Sequence, residues 1–138
     1  MDYKFKMEKI LDYKNSVEKS RTEDYLKASH HLAKEKDELE QLTLAYDKQN
    51  QEKKGDLSQM KMQFLYKEKL KTALFHQEKK VEVLSTRVED ARGNLIEARK
   101  DRKIMENLKE KDRERYRMEI LASEQKELDD LSIMKYAR

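Results

Sequence analysis

From Leu74 to Met105 the chain steps through Leu74, Gln77, Val81, Leu84, Val88, Ala91, Leu95, Ala98, Arg102 and Met105, at intervals that alternate between three and four. Apolar residues at that spacing form a heptad seam. The seam is narrow and the rest of the helix is charged, so it must bury itself against another helix. It continues less regularly through Leu108, Tyr116, Ile120, Leu128 and Leu131. A second stripe lies nearer the N-terminus, through Ile10, Tyr13, Val17, Tyr25, Ala28, Leu32, Leu39, Leu42 and Tyr46. Its step of eight from Val17 to Tyr25 reads as a stutter, where a supercoil locally unwinds.

Composition excludes the main rivals. Charged residues make up 44% of the 138 positions and hydrophobic ones 36%, with no proline. That balance is too polar for a compact globule and suits long helices. High charge with few aromatics also marks disorder. Here, however, the formal net charge is only +3 and the two signs interleave, as on solvated helix faces. There is no cysteine, hence no disulfide framework or thiol nucleophile. No apolar run approaches the roughly 20 residues that span a bilayer, and the start, MDYKFKMEKI, lacks the apolar core of a secretory signal. The expectation is a soluble, intracellular chain with no integral membrane segment.

Between the stripes lies QEKKGDLSQM. Gly55 suits the left-handed position just past a helix end. Lys53 and Lys54 place positive charge at the negative end of the helix dipole. Asp56 can cap a new helix, with Gln59 reaching back as in a capping box. Stop signals followed at once by start signals predict a turn at about 54–57, joining a helix over about 2–53 to one over about 58–136. The fold class is all-α: one antiparallel coiled-coil hairpin spanning 1–138. The rival is one continuous helix in a parallel dimer, since a lone mid-helix glycine costs only about 1 kcal/mol. Gly93 is expected to stay helical in this way.

If the chain reverses at Gly55, residues equidistant from it face each other. Leu32 then lies near Gln77 and Val81, Tyr25 near Leu84, Val17 near Ala91 and Leu95, and Phe5 near Met105. The second helix overshoots by roughly 40 Å at helical rise, from about Glu110 onward. Its apolar residues there are exposed or meet another protein. The segment MKMQFLYKEKLKTALF carries apolar residues on two sides: Tyr66, Leu70, Ala73 and Leu74 on one, Phe64 and Phe75 roughly opposite. One stripe is core and the other an interface candidate.

Nothing points to catalysis. His30, His31 and His76 have no cysteine partners or HExxH spacing, and no glycine-rich phosphate loop occurs. No cofactor or metal is expected. The basic stretch Arg99 to Arg117 is interrupted by acids every few residues, so it reads as a solvated flank or as a patch for an acidic protein, not a nucleic-acid surface.

Three segments taken in order resemble the bacterial flagellar export protein FliJ family: YKFKMEKILDYK at Tyr3–Lys14, YKEKLKTALFHQ at Tyr66–Gln77, and EQKELDDLSIMKYAR at Glu124–Arg138. The resemblance implies a non-enzymatic cytoplasmic stalk of the flagellar type III export apparatus, peripheral to the inner face of the cell membrane at the flagellar base. It implies three partners: a hexameric export ATPase (FliI-like), an export-gate protein (FlhA-like cytosolic domain) and export chaperones. The chain would be a monomer when free. Gate-contact positions carried over by motif are Leu42, Tyr46, Tyr66, Leu70, Ala73 and Gln77. The end entering the ATPase ring would present Phe5, Ile10, Arg113, Arg117, Ile120, Leu128 and Leu131. Alternatives are a stalk of virulence type III secretion, a prefoldin-like chaperone and a generic coiled-coil spacer. The prefoldin reading lacks room for strands near Gly55.

Overall fold

A computed structural model describes residues 2–51 and 55–136. It contains two helices, α1 (Glu8–Gln51) and α2 (Leu57–Tyr136), and no strand among the described residues. They pair antiparallel as a hairpin: Glu8 meets Lys109 and Glu35 meets Gln77.

The turn obeys the signals in its sequence. Gly55 sits at φ 125°, a conformation that L side chains rarely adopt. The Gln59 side chain folds back over it, where a Cβ would have to go. Asp56 Oδ1 accepts from the Gln59 backbone N–H at 2.9 Å, and the Asp56 carbonyl accepts from Met60 N–H at 2.9 Å. Asp56 is thus the N-cap of α2. The expected cations Lys53 and Lys54 lie outside the described residues. Gly93 is helical with open space beyond its Cα.

The chain divides into two compact units. One is Ser20–Leu95. Its core is Leu70 and Leu84, with Leu95 buried at its limit. Tyr25, Ala28, Leu32, Leu39, Leu42 and Tyr46 of α1 are half-buried, as are Leu74, Gln77, Val81, Val88 and Ala91 of α2. At Glu35 a carboxylate takes a seam position and is only 5% exposed.

The other unit comprises 1–19 and 96–138. Here Leu11 and Ala98 are buried, and Arg102 and Met105 half-buried. Two expectations fail in this unit. Ile10 and Tyr13 are 47% and 64% exposed; Val17 is half-buried as expected, but the seam runs through Leu11, Lys14 and Glu18 beside it. From Glu18 to Tyr25 the step is seven, so no stutter is needed. Reading by hydrophobicity passed over two long side chains whose heads are paired. Lys14 reaches Asp101 at 3.6 Å, and Glu18 pairs with Arg99 at 3.5 Å and with Arg102.

The start of α1 also differs: it begins at Glu8, not near residue 2. Residues 2–7 are not α-helical. Their aromatic side chains pack on α2 instead, with the Tyr3 ring 5.4 Å from that of Tyr116. A lead not wound into an α-helix can reach further per residue than a helix does. Phe5 therefore lies in clefts with Leu108, Lys109, Asp112 and Arg113, past the expected Met105. For the same reason the bare part of α2 begins at Arg117, not near Glu110. Every residue from Arg117 to Tyr136 is exposed.

Candidate interaction surfaces

In the unit of 1–19 and 96–138, the α2 seam turns polar towards its C-terminal end. Lys109 and Asp112 occupy inward positions where an apolar reading chose Leu108, which is 41% exposed. Lys109 makes a contact across to α1, and Asp112 makes one to the non-helical lead. Lys109 Nζ lies 2.9 Å from Glu8 Oε2, and the Tyr3 hydroxyl donates to Asp112 Oδ2 at 2.7 Å. Desolvation of the Tyr3 hydroxyl, helped by the Asp112 carboxylate, pushes its pKa up to about 12. Much of the basic stretch Arg99 to Arg117 is therefore engaged within the chain: Arg99 and Arg102 on Glu18, Lys109 on Glu8, Arg117 on Glu114 at 2.8 Å.

Beyond Tyr116, α2 has no protein covering it. At 100° per residue, Tyr116, Ile120, Leu131 and Met134 fall within about 60° of arc, with Leu128 and Leu121 beside them. Ile120 is 37% exposed, Leu128 59% and Leu131 62%. Of the positions expected at a ring-entering end, Arg113, Arg117, Ile120, Leu128 and Leu131 are exposed. So is Ile10, while Phe5 is half-buried. An apolar stripe on a helix with no packed neighbour is one recurring form of partner site.

The second surface lies in the unit Ser20–Leu95, next to the turn. Leu42 and Tyr46 of α1 are half-buried, and Lys67 Nζ sits 5.7 Å from the Tyr46 ring centroid. Tyr66 is 46% exposed and Leu70 only 7%. Ala73 is half-buried. Gln77 is half-buried too, its amide committed to Glu35. Within this set Tyr66 and Tyr46 present surface, Leu70 is core, and Gln77 is an internal tie. The opposite side of α2 carries Phe64 and Phe75, 61% and 57% exposed. Sequence reasoning missed Glu35. The only signal was its place, three after Leu32 and four before Leu39.

Among the described residues no group of three or more His, Cys, Asp or Glu could hold a metal. His31 lies 3.7 Å from Glu35 and His76 stacks edge-on with Phe75. No described helix is long and apolar enough to cross a membrane.

Glu8, Glu18 and Glu35 are tied to structural partners, and many apolar groups lie on open helix faces. These features define a helical-hairpin interaction protein. Its sequence matches the family described as Flagellar FliJ protein over residues 3–138, and the chain belongs to that family. It is a component of the flagellar export apparatus and not an enzyme. No curated protein and no solved structure matches it.

Proposed function

We propose that this chain is the stalk that couples a hexameric export ATPase to the export gate. The bare end of α2 engages the ring. The turn-proximal surface around Tyr46 and Tyr66 engages the cytosolic domain of the gate, and export chaperones use the remaining helix faces. The observation that carries this reading is the uncovered end, Arg117 to Tyr136, with Ile120, Leu128 and Leu131 exposed. Such a stripe is marginal in water by itself and gains from a surrounding protein surface. A single asymmetric helix end inside a six-fold ring touches subunits unequally. Unequal contact makes their nucleotide affinities differ, and coupling of about 1–3 kcal/mol per site is enough to order hydrolysis.

Deletion of 117–138 tests this directly. The truncated chain should keep the helical signal and melting behaviour of the hairpin but lose stimulation of ATP hydrolysis by the export ATPase. Undiminished stimulation by the truncated chain would overturn the proposal.

A further inference from the structure

Glu35 is the one charged residue among the described residues that is buried. It sits at a seam position of α1, between half-buried Leu32 and Leu39, where a leucine would satisfy the heptad. Its surroundings are built to hold it. Gln77 of α2 donates its side-chain amide both to the Glu35 carboxylate, at 2.7 Å, and to the Glu35 backbone carbonyl, at 2.9 Å. Lys80, one turn away, brings Nζ to 3.1 Å from the other carboxylate oxygen, with His31 Nε2 at 3.7 Å. Gln77 itself occupies an inward position of the α2 seam. Two facing seam positions are thus given to polar groups that bond to each other, with Lys80 and His31 closing the outer side of the carboxylate.

Such a layer is a poor way to gain stability. Well-packed apolar residues in place of a buried ionic group are often neutral or stabilising. What a polar layer does supply is alignment. A heptad seam of similar apolar residues can slip by seven residues with little loss of burial. A slip here would take the Gln77 amide away from the buried carboxylate and the backbone carbonyl of Glu35 and set Leu84 or Leu70 against them, an arrangement that is disfavoured. We infer that Glu35 and Gln77 form a register lock: they are positioning residues that fix which part of α1 lies against which part of α2. The lock also decides which α1 side chains share a surface with Tyr66, so it sets the composition of the turn-proximal face.

The test uses the full chain, whose lack of cysteine makes labelling specific. Spin labels go on Ala33→Cys and Glu82→Cys, both exposed and within one unit. With Glu35 and Gln77 intact the distance distribution should be single and narrow. In the double variant Glu35→Leu, Gln77→Leu the melting temperature should hold or rise. The distribution should broaden or split, because a one-heptad slip slides one helix along the other by about 10 Å at 1.5 Å per residue, or the chain should dimerise. A merely structural tie predicts the opposite pair of results, a lower melting temperature with an unchanged distribution, and that outcome overturns the inference. So does an unchanged distribution at any melting temperature. Glu35→Gln keeps both hydrogen bonds available and should stay narrow. If it broadens as much as the apolar pair, or if the apolar pair does not fold while Glu35→Gln is already broad, the lock does not reside in these bonds.

Discussion

The hydroxyl of Tyr3 donates to Asp112 Oδ2 at 2.7 Å, which ties a non-helical lead to the polar end of the α2 seam. Desolvation, and after it the bond to Asp112, holds a proton that Tyr3 would otherwise lose near pH 10, so its pKa is raised to about 12. For a group whose folded pKa is raised, the stabilisation is complete below the unfolded value and is lost as pH climbs through the folded one. The lead should therefore stay docked through neutral pH and release between about pH 10 and 12. Tyrosinate absorbance should show one late-titrating component, which Tyr3→Phe removes. A titration identical in the two proteins would refute the docking.

Leu84 is 5% exposed and Phe75 is 57% exposed, though both are large apolar residues of the same helix. Leu84→Ala should cost about 2–3 kcal/mol, the lower part of the range for core truncations. Phe75→Ala should cost less than about 1 kcal/mol, since it removes only exposed contacts with His76 and Lys79. Denaturant unfolding of both variants measures the contrast. Equal losses would mean that the burial pattern of α2 is misassigned.

The two glycines should respond to alanine with opposite signs. At Gly55 the positive φ and the overlying Gln59 side chain both oppose a Cβ, so Gly55→Ala should destabilise by about 1 kcal/mol or more. At Gly93 nothing lies within 4 Å and the backbone is helical, so Gly93→Ala should stabilise by about 0.5–1 kcal/mol. Thermal melts of the two variants check this, and a loss at Gly93 would contradict its outward placement.

For the turn-proximal surface, Tyr66→Ala should weaken binding to the gate's cytosolic domain by about tenfold, close to 1.4 kcal/mol, with little change in melting temperature. Leu70→Ala should weaken binding only through loss of the fold, because Leu70 is core. Calorimetric titration alongside melting separates these outcomes. Unchanged affinity for Tyr66→Ala would remove it from the surface.

The hairpin was legible in the sequence because its parts agree. The 3–4 spacing from Leu74 to Met105 marks the inward face of α2, and every one of those positions is buried or half-buried. Gly55, Asp56 and Gln59 spell out the turn by local chemistry. The failures have a common cause. Glu35, Lys14, Glu18, Lys109 and Asp112 occupy seam positions but are polar, and an apolar stripe does not reveal them. Their placement depends on a partner far along the chain, such as Asp112 for Tyr3, which periodicity within one helix cannot supply. The same limit applies to the carried-over surface. Motif matching identified Leu70 and Gln77 with Tyr66 but could not separate a buried side chain and an internally bonded one from an open one.

Gln77 and Glu35 are 42 positions apart, while Tyr3 and Asp112 are 109 apart. The entropy lost on closing a loop grows with the length enclosed, so contacts nearer the bend have the head start when the chain folds. Amide protection in pulsed hydrogen exchange should appear around Glu35 before Glu8; the reverse order would refute this. The hairpin then closes like a zip, from the bend outward. The Tyr3 attachment is the last tooth to engage and, when the molecule breathes, the first to let go.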